Sequence, residues 1–164
     1  MKQYYIALDT QAGDTINGNQ SGIRWKLERA LPAGSKLCLY QFNLFAGGST
    51  TSLGSEELNG MLLASTNVGP YAKSFIAKDG AKPLQGCVLA CVPNSEIYNA
   101  DGSEKLVITY EPQNLFDVEL DKAQDIYELE LQLKDPNGFT NIDLDSDCTW
   151  SVLLKVSLKD DKDY

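Results

Sequence analysis

The chain has no histidine. That removes the commonest general base, the commonest metal ligand and every catalytic triad built on imidazole. Positive charge is also scarce. There are 14 Lys and Arg against 23 Asp and Glu, a formal net charge of −9 at pH 7. A chain this acidic has no general attraction for DNA, RNA or an anionic bilayer, so nucleic-acid binding is not expected. No window approaches the roughly 18 apolar residues of a membrane helix, so membrane insertion is not expected either. The opening MKQYYIALDT lacks the apolar stretch of a secretory signal, and the chain is expected not to be secreted. Cys38, Cys87, Cys91 and Cys148 include a CxxxC spacing but no CxxC pair. They are expected to be reduced, mostly buried thiols rather than a zinc site or disulfides. GxSxG is absent, and Gly34-Ser35-Lys36 matches only the end of a phosphate loop. Nothing here supports catalysis, and no cofactor is expected.

What the chain does have is alternation. Its 164 residues are 43% apolar and 23% charged, an ordinary globular composition for one domain. Its last third carries the clearest pattern. In residues 126–134 Leu129, Leu131 and Leu133 alternate with Glu130, Gln132 and Lys134. In residues 150–158 Trp150, Val152, Leu154, Val156 and Leu158 alternate with Ser151, Leu153, Lys155 and Ser157. A period of two gives each run one face for a core. Asp135-Pro136-Asn137-Gly138 supplies turn chemistry between them. The polar loop that follows allows the two strands to lie in opposite sheets, their apolar faces meeting across the core.

Further strands are expected at residues 4–8, 23–28, 36–45, 61–64, 75–77, 85–93 and 105–111. Residues 36–45 (KLCLYQFNLF) are apolar on both faces. By strict alternation Leu37, Leu39 and Phe45 share one face, and Cys38, Tyr40, Phe42 and Leu44 the other. Such a strand is central between layers or covered on its outer face by another chain. Residues 10–22, rich in Gly, Asn, Asp, Ser and Thr, read as a loop or flexible arm. Residues 46–60 read as a long surface loop, with a short helical turn at residues 55–58 capped by Ser55. The charged tail 159–164 reads as frayed. With about eight to ten strands and no convincing amphipathic helix, a parallel α/β sheet is not expected. The expected fold is all-β: a single jelly-roll domain over residues 1–164, with two packed antiparallel sheets of about eight strands and long loops.

Candidate sites are few. Asp143, Asp145 and Asp147 have a metal-like spacing. A calcium loop of the EF-hand type would need Gly at 148 and Glu at 154, where the chain has Cys148 and Leu154. The other reading is a solvated loop. A glycosidase-like carboxylate pair is not marked, and Glu128 and Glu130 read as a solvated strand face. Trp25 and Trp150 stand in phase with aliphatic neighbours and read as core rather than as a sugar-binding platform.

The two ends of the chain resemble a known family. A first strand with Tyr4-Tyr5, a polar arm and IRWKLERALPAGSKLCLYQFNLF is similar to the opening of single-jelly-roll viral capsid proteins. The ending YELELQLKDPNGFTNIDLDSDCTWSVLLKV resembles the strand, turn, polar loop and aromatic-led last strand of penton and minor capsid proteins of icosahedral DNA viruses: virophages, polinton-like viruses and nucleocytoplasmic large DNA viruses. Residues 46–105 do not share the resemblance. It implies a structural virion protein, made in the host cytoplasm or nucleus. Its partners would be further copies of itself, as a homopentamer in a penton, and a major capsid protein. No active site transfers. Tyr40, Phe42 and Leu44 on the two-sided strand, with Leu53 and Leu58 in the long loop, are then the expected interface residues. The alternatives are a carbohydrate- or ligand-binding β-sandwich module and a small carboxylate-based hydrolase.

Overall fold

Alternating apolar residues produce strands wherever the pattern is sustained. The computed structural model describes residues 2–46, 60–65, 67–68, 87–93, 97–100, 103–120, 124–135, 141–142, 144 and 147–159. Among these residues there is no helix, and eleven strands form. They are β1 (Gln3–Asp9), β2 (Asp14–Ile16), β3 (Asn19–Leu31), β4 (Lys36–Ala46), β5 (Gly60–Ser65), β6 (Cys87–Pro93), β7 (Ile97–Ala100), β8 (Ser103–Tyr110), β9 (Val118–Glu119), β10 (Ile126–Lys134) and β11 (Cys148–Ser157). The first sheet runs β1-β11-β4-β8-β7, with β9 also on β4, and the second runs β2-β3-β10-β5-β6. All pairings are antiparallel. The expected strand at residues 75–77 and the helical turn at 55–58 lie outside the described residues.

The long strands pair in a nested order. β1 pairs with β11, β3 with β10, β4 with β8, and β5 with β6. Consecutive long strands at both ends of the chain therefore switch sheets. β10 and β11 lie in different sheets. Leu129, Leu131 and Leu133 of one and Val152, Leu154 and Val156 of the other are buried in one core.

Strand β4 departs from strict alternation. Its ladder with β11 matches Leu153 with Gln41 and Leu154 with Leu39, so Tyr40 has no opposite number. This is a β-bulge, and one extra residue reverses the facing of everything beyond it. Leu37 and Leu39 point inward before the bulge, and Phe42 and Leu44 point inward after it, all at most 2% exposed. Tyr40 and Phe45 are outside. The expectation that Phe42 and Leu44 face another subunit is corrected: both are core residues of this chain. The apparent two-sided apolarity comes from one apolar face written in two phases.

Residues 10–22, expected as a flexible arm, instead hold β2, a turn and the start of β3. Asn17 and Gly18 both have positive φ, 54° and 72°. That is the backbone of a tight two-residue hairpin turn, and Asn-Gly is the pair that tolerates it best. The preceding bend is fixed by Asp9, whose Oδ1 accepts from the N–H groups of Gln11 at 2.9 Å and Ala12 at 2.8 Å. Gly13 lies against Trp25. A Cβ there would sit 2.7 Å from the indole Nε1, which leaves no room for a side chain.

The hairpin closes over a tryptophan pair. Trp25 from the second sheet and Trp150 from the first meet edge to face, with centroids 5.7 Å apart. Trp25 Nε1 donates to the carbonyl of Asp9, and Trp150 Nε1 donates to the carbonyl of Gln20, each at 2.7 Å. Each indole thus reaches across the core to the backbone of the opposite sheet.

Asn67 continues a ladder where a strand stops. β5 pairs with β10 only at residues 132–134. Beyond that, Asn67 Nδ2 donates to the carbonyl of Glu128, and its Oδ1 accepts from the N–H of Glu130 at 3.0 Å. One side-chain amide therefore replaces a backbone rung. Asn67→Ala should lower stability by about 1–2 kcal/mol, and Asn67→Asp, which loses the donor, should also destabilise. Urea unfolding checks this; an unchanged midpoint for both variants would show that water replaces the amide without loss.

Candidate functional site

The outer faces of the two sheets differ in charge, although each carries exposed aromatic residues: Tyr127 of β10, in the second sheet, is 67% exposed. On the second, Arg24 and Lys26 of β3 stand opposite Glu130 and Glu128 of β10. Arg24 Nε lies 2.9 Å from Glu128 Oε1, and its Nη2 lies 2.5 Å from Glu130 Oε1. These charges are paired at the surface, where an ion pair contributes about 0–1 kcal/mol. The face reads as solvated, and its carboxylates are already occupied by an arginine.

The outer face of the first sheet is aromatic. Tyr5 of β1 is 51% exposed, Tyr40 of β4 42%, Phe45 of β4 44% and Val107 of β8 37%. Tyr5 and Tyr40 meet edge to face with centroids 5.2 Å apart. Phe45 lies opposite Val107 on one side and Thr149 on the other. Along the outward positions of β1, β11 and β4, the charges are Asp9 and Lys36 at the rim and Lys155 in the interior. β9 adds Glu119 opposite Lys36, and Asp117 hydrogen-bonds Cys38.

Lys155 is flanked in register by Tyr5 and Cys38. Cys38 is fully buried although its strand phase points it outward. Burial raises its thiol pKa above the ordinary value; Lys155 pulls the other way, and Asp117 raises it again by charge and by a hydrogen bond. A raised pKa leaves less thiolate, the reactive form. Cys148 is also buried and Cys91 exposed. A thiol reagent at pH 8 should therefore label Cys91 well before Cys38 or Cys148 in the native protein. Peptide mapping by mass spectrometry reads the order, and early labelling of Cys38 would mean that its cover opens readily.

Two grooves adjoin this sheet. One of about 310 Å³ lies at the end near Phe45, lined by Asp9, Gln11, Asn43, Thr149 and Ser151 among others. The other, about 330 Å³, lies by Leu39, Leu89, Tyr110, Pro112 and Phe116. Asp9 is the one carboxylate lining either, so neither groove brings together the two acids of a glycosidase. Among the described residues no cluster of three His, Cys, Asp or Glu could hold a metal ion.

Of the expected site residues, Tyr40 is at this surface, and Phe42 and Leu44 are beneath it. Leu53, Leu58, Asp143 and Asp145 lie outside the described residues; Asp147 is exposed just before β11. Tyr5, Phe45 and Val107 were not among the expected interface residues. Tyr5 was accessible to sequence reasoning through the alternation of β1, but Phe45 was hidden by the bulge. No protein-family model matches the chain, and no curated protein matches it.

Proposed function

We propose that the chain is a structural subunit that works by self-assembly: a single jelly-roll capsid protein, a vertex penton or another minor capsid subunit of an icosahedral DNA virus. The observation that carries the functional part is the aromatic, charge-poor outer face of the first sheet. Exposed aromatics clustered on one face, with few charges among them, are what protein–protein contacts are built from. The nested pairing supports the fold part. With the short strands β2, β7 and β9 set aside, the first long strand pairs with the last, the second with the seventh, the third with the sixth and the fourth with the fifth. A long antiparallel hairpin rolled over a core would have this order, which is what supports a jelly-roll winding. In this reading the partners are further copies, a homopentamer in a penton, and a major capsid protein, and the protein resides in the virion. The test is mass photometry with negative-stain electron microscopy of the purified chain, alone and with a major capsid protein. Closed five-membered rings or incorporation into capsids are expected. Monomers at every concentration, together with no association with capsid protein, would sink the proposal.

A second reading rests on the groove beside Phe45. A half-exposed ring flanked by Asn43, Gln11 and Ser151 offers a stacking surface beside amide and hydroxyl groups, the chemistry that holds a sugar. A glycan array separates this reading: binding lost in Phe45→Ala favours it, and silence removes it.

A further inference from the structure

The free edge of β1 carries information of its own. In an antiparallel ladder, alternate residues spend their backbone groups on the neighbouring strand. Thr10 N–H donates to Trp150 O, and Leu158 N–H donates to Lys2 O. The two pairs continue the β1–β11 register by one residue at either end. The even-numbered residues of β1 are therefore bonded to β11. The N–H and C=O groups of Gln3, Tyr5, Ala7 and Asp9 point away from it. The Asp9 carbonyl is taken by Trp25 Nε1. Among the described residues no hydrogen-bonding partner meets the backbone of Gln3, Tyr5 or Ala7 on that side.

Edge strands are usually protected by a bulge, a proline, a charge or a covering segment. β1 has none of the first three across Gln3–Leu8, and its register with β11 is unbroken. Gln3, Tyr5 and Ala7 are all exposed. We propose that this edge is a strand-pairing site for the β1 edge of a second copy, joined antiparallel about a two-fold axis at Tyr5. The register selects itself. Centred on Tyr5, Gln3 faces Ala7 of the second copy and Tyr5 faces Tyr5, so every free residue meets a free residue and about six backbone bonds form. A shift by one residue would set free groups against bonded ones; a shift by two would in one direction bring in the occupied Asp9 carbonyl, and in the other pair only Gln3 with Tyr5 within β1, about four bonds instead of six. The two Tyr5 rings then meet on the outer face, each already stacked against its own Tyr40. Residues 3–8 carry no acidic side chain, and the cations Arg29, over the Tyr4 ring, and Lys155, opposite Tyr5, lie beside them, which lets two strongly acidic chains approach there.

This contact goes beyond the ring and does not depend on it. A two-fold contact joins two subunits or two rings, whereas a five-membered ring closes through a head-to-tail contact. Ala7→Pro is the direct test. The Ala7 N–H is not used within the chain, so proline removes only the outward donor and is tolerated on such an edge. Tyr5→Glu is the second variant: it places like charges opposite each other on the axis without touching the backbone, while within its own chain it stands opposite Lys155, an opposite charge. Sedimentation velocity of the full chain, from low micromolar to near-millimolar, should show a monomer–dimer equilibrium for wild type. Both variants should weaken it about tenfold or abolish it, with melting temperatures close to wild type. Any five-membered rings should persist in Ala7→Pro, which leaves the aromatic side chains of the outer face in place, and this separates the contact from ring assembly. Wild type sedimenting as a monomer throughout, as expected if the edge instead takes a strand from a different protein, overturns the proposal. So does a dimer that both variants leave intact.

Discussion

Trp150→Ala should remove about 3–5 kcal/mol of stability, as much as many domains of this size possess. The side chain is 2% exposed and touches both Trp25 and Phe42. Alanine would leave a cavity that two stiff sheets cannot collapse to fill. It would also strand the carbonyl of Gln20, whose partner is the indole N–H. Trp150→Phe separates the two contributions. It keeps most of the ring and loses the donor, so about 1–3 kcal/mol is expected from the unsatisfied carbonyl and the smaller ring. Urea unfolding of wild type and both variants gives the ladder of stabilities. If Trp150→Ala lost less than about 1 kcal/mol, the tryptophan pair would not be the clamp between the sheets described above.

The second large effect is a contrast between neighbours on β4. Phe42→Ala should destabilise by about 3–5 kcal/mol. Phe45→Ser should change stability by no more than about 0.5 kcal/mol, because its ring is half in solvent. Strict alternation from Leu37 makes the opposite prediction, since it puts Phe45 on the face of Leu37 and Leu39 and Phe42 on the other. The pair of variants therefore tests the bulge at Tyr40 directly, by thermal or urea melts. A large loss from Phe45→Ser with a small one from Phe42→Ala would restore the unbulged reading. Phe45→Ser carries a second use: it alters the outer face without altering the fold, so its effect on assembly can be read without a stability correction.

The all-β character was legible because alternation is a local property. β10 and β11 announce themselves in nine or ten residues each, and their inward leucines and valines are the buried ones. The hairpin at Asn17-Gly18 was equally local, and its Asn-Gly signal was present within a stretch that composition alone assigns to a loop. The bulge at Tyr40 was of another kind. It exists because β11 offers Leu153 and Leu154 in succession to a strand that has one residue more, and no property of residues 36–45 taken alone reports that mismatch. The same holds for Asn67, a lone polar residue whose role depends on where β5 stops against β10. The outer aromatic face follows from the bulge and shares its opacity. Hydrophobic pattern tells how many faces a strand has, but which face is outside is decided by the partner strand.

The nested pairing has a consequence for synthesis. β1 leaves the ribosome about 150 residues before its partner, yet Gln3 pairs with Ser157, at the end of β11. β11 also lies in the middle of the first sheet, between β1 and β4. Until it inserts, β1 has no neighbour to hold it, and the aromatic face has no centre. Contacts this distant in sequence close slowly, on the millisecond-to-second scale typical of such β topologies. A chain stopped short of β11 would have β4 and β8 but no continuous surface joining Tyr5 to Phe45. The surface on which assembly is proposed to depend is thus completed only when β11 has followed β1, β4 and β8 out, and display of that surface reports that translation has passed β11.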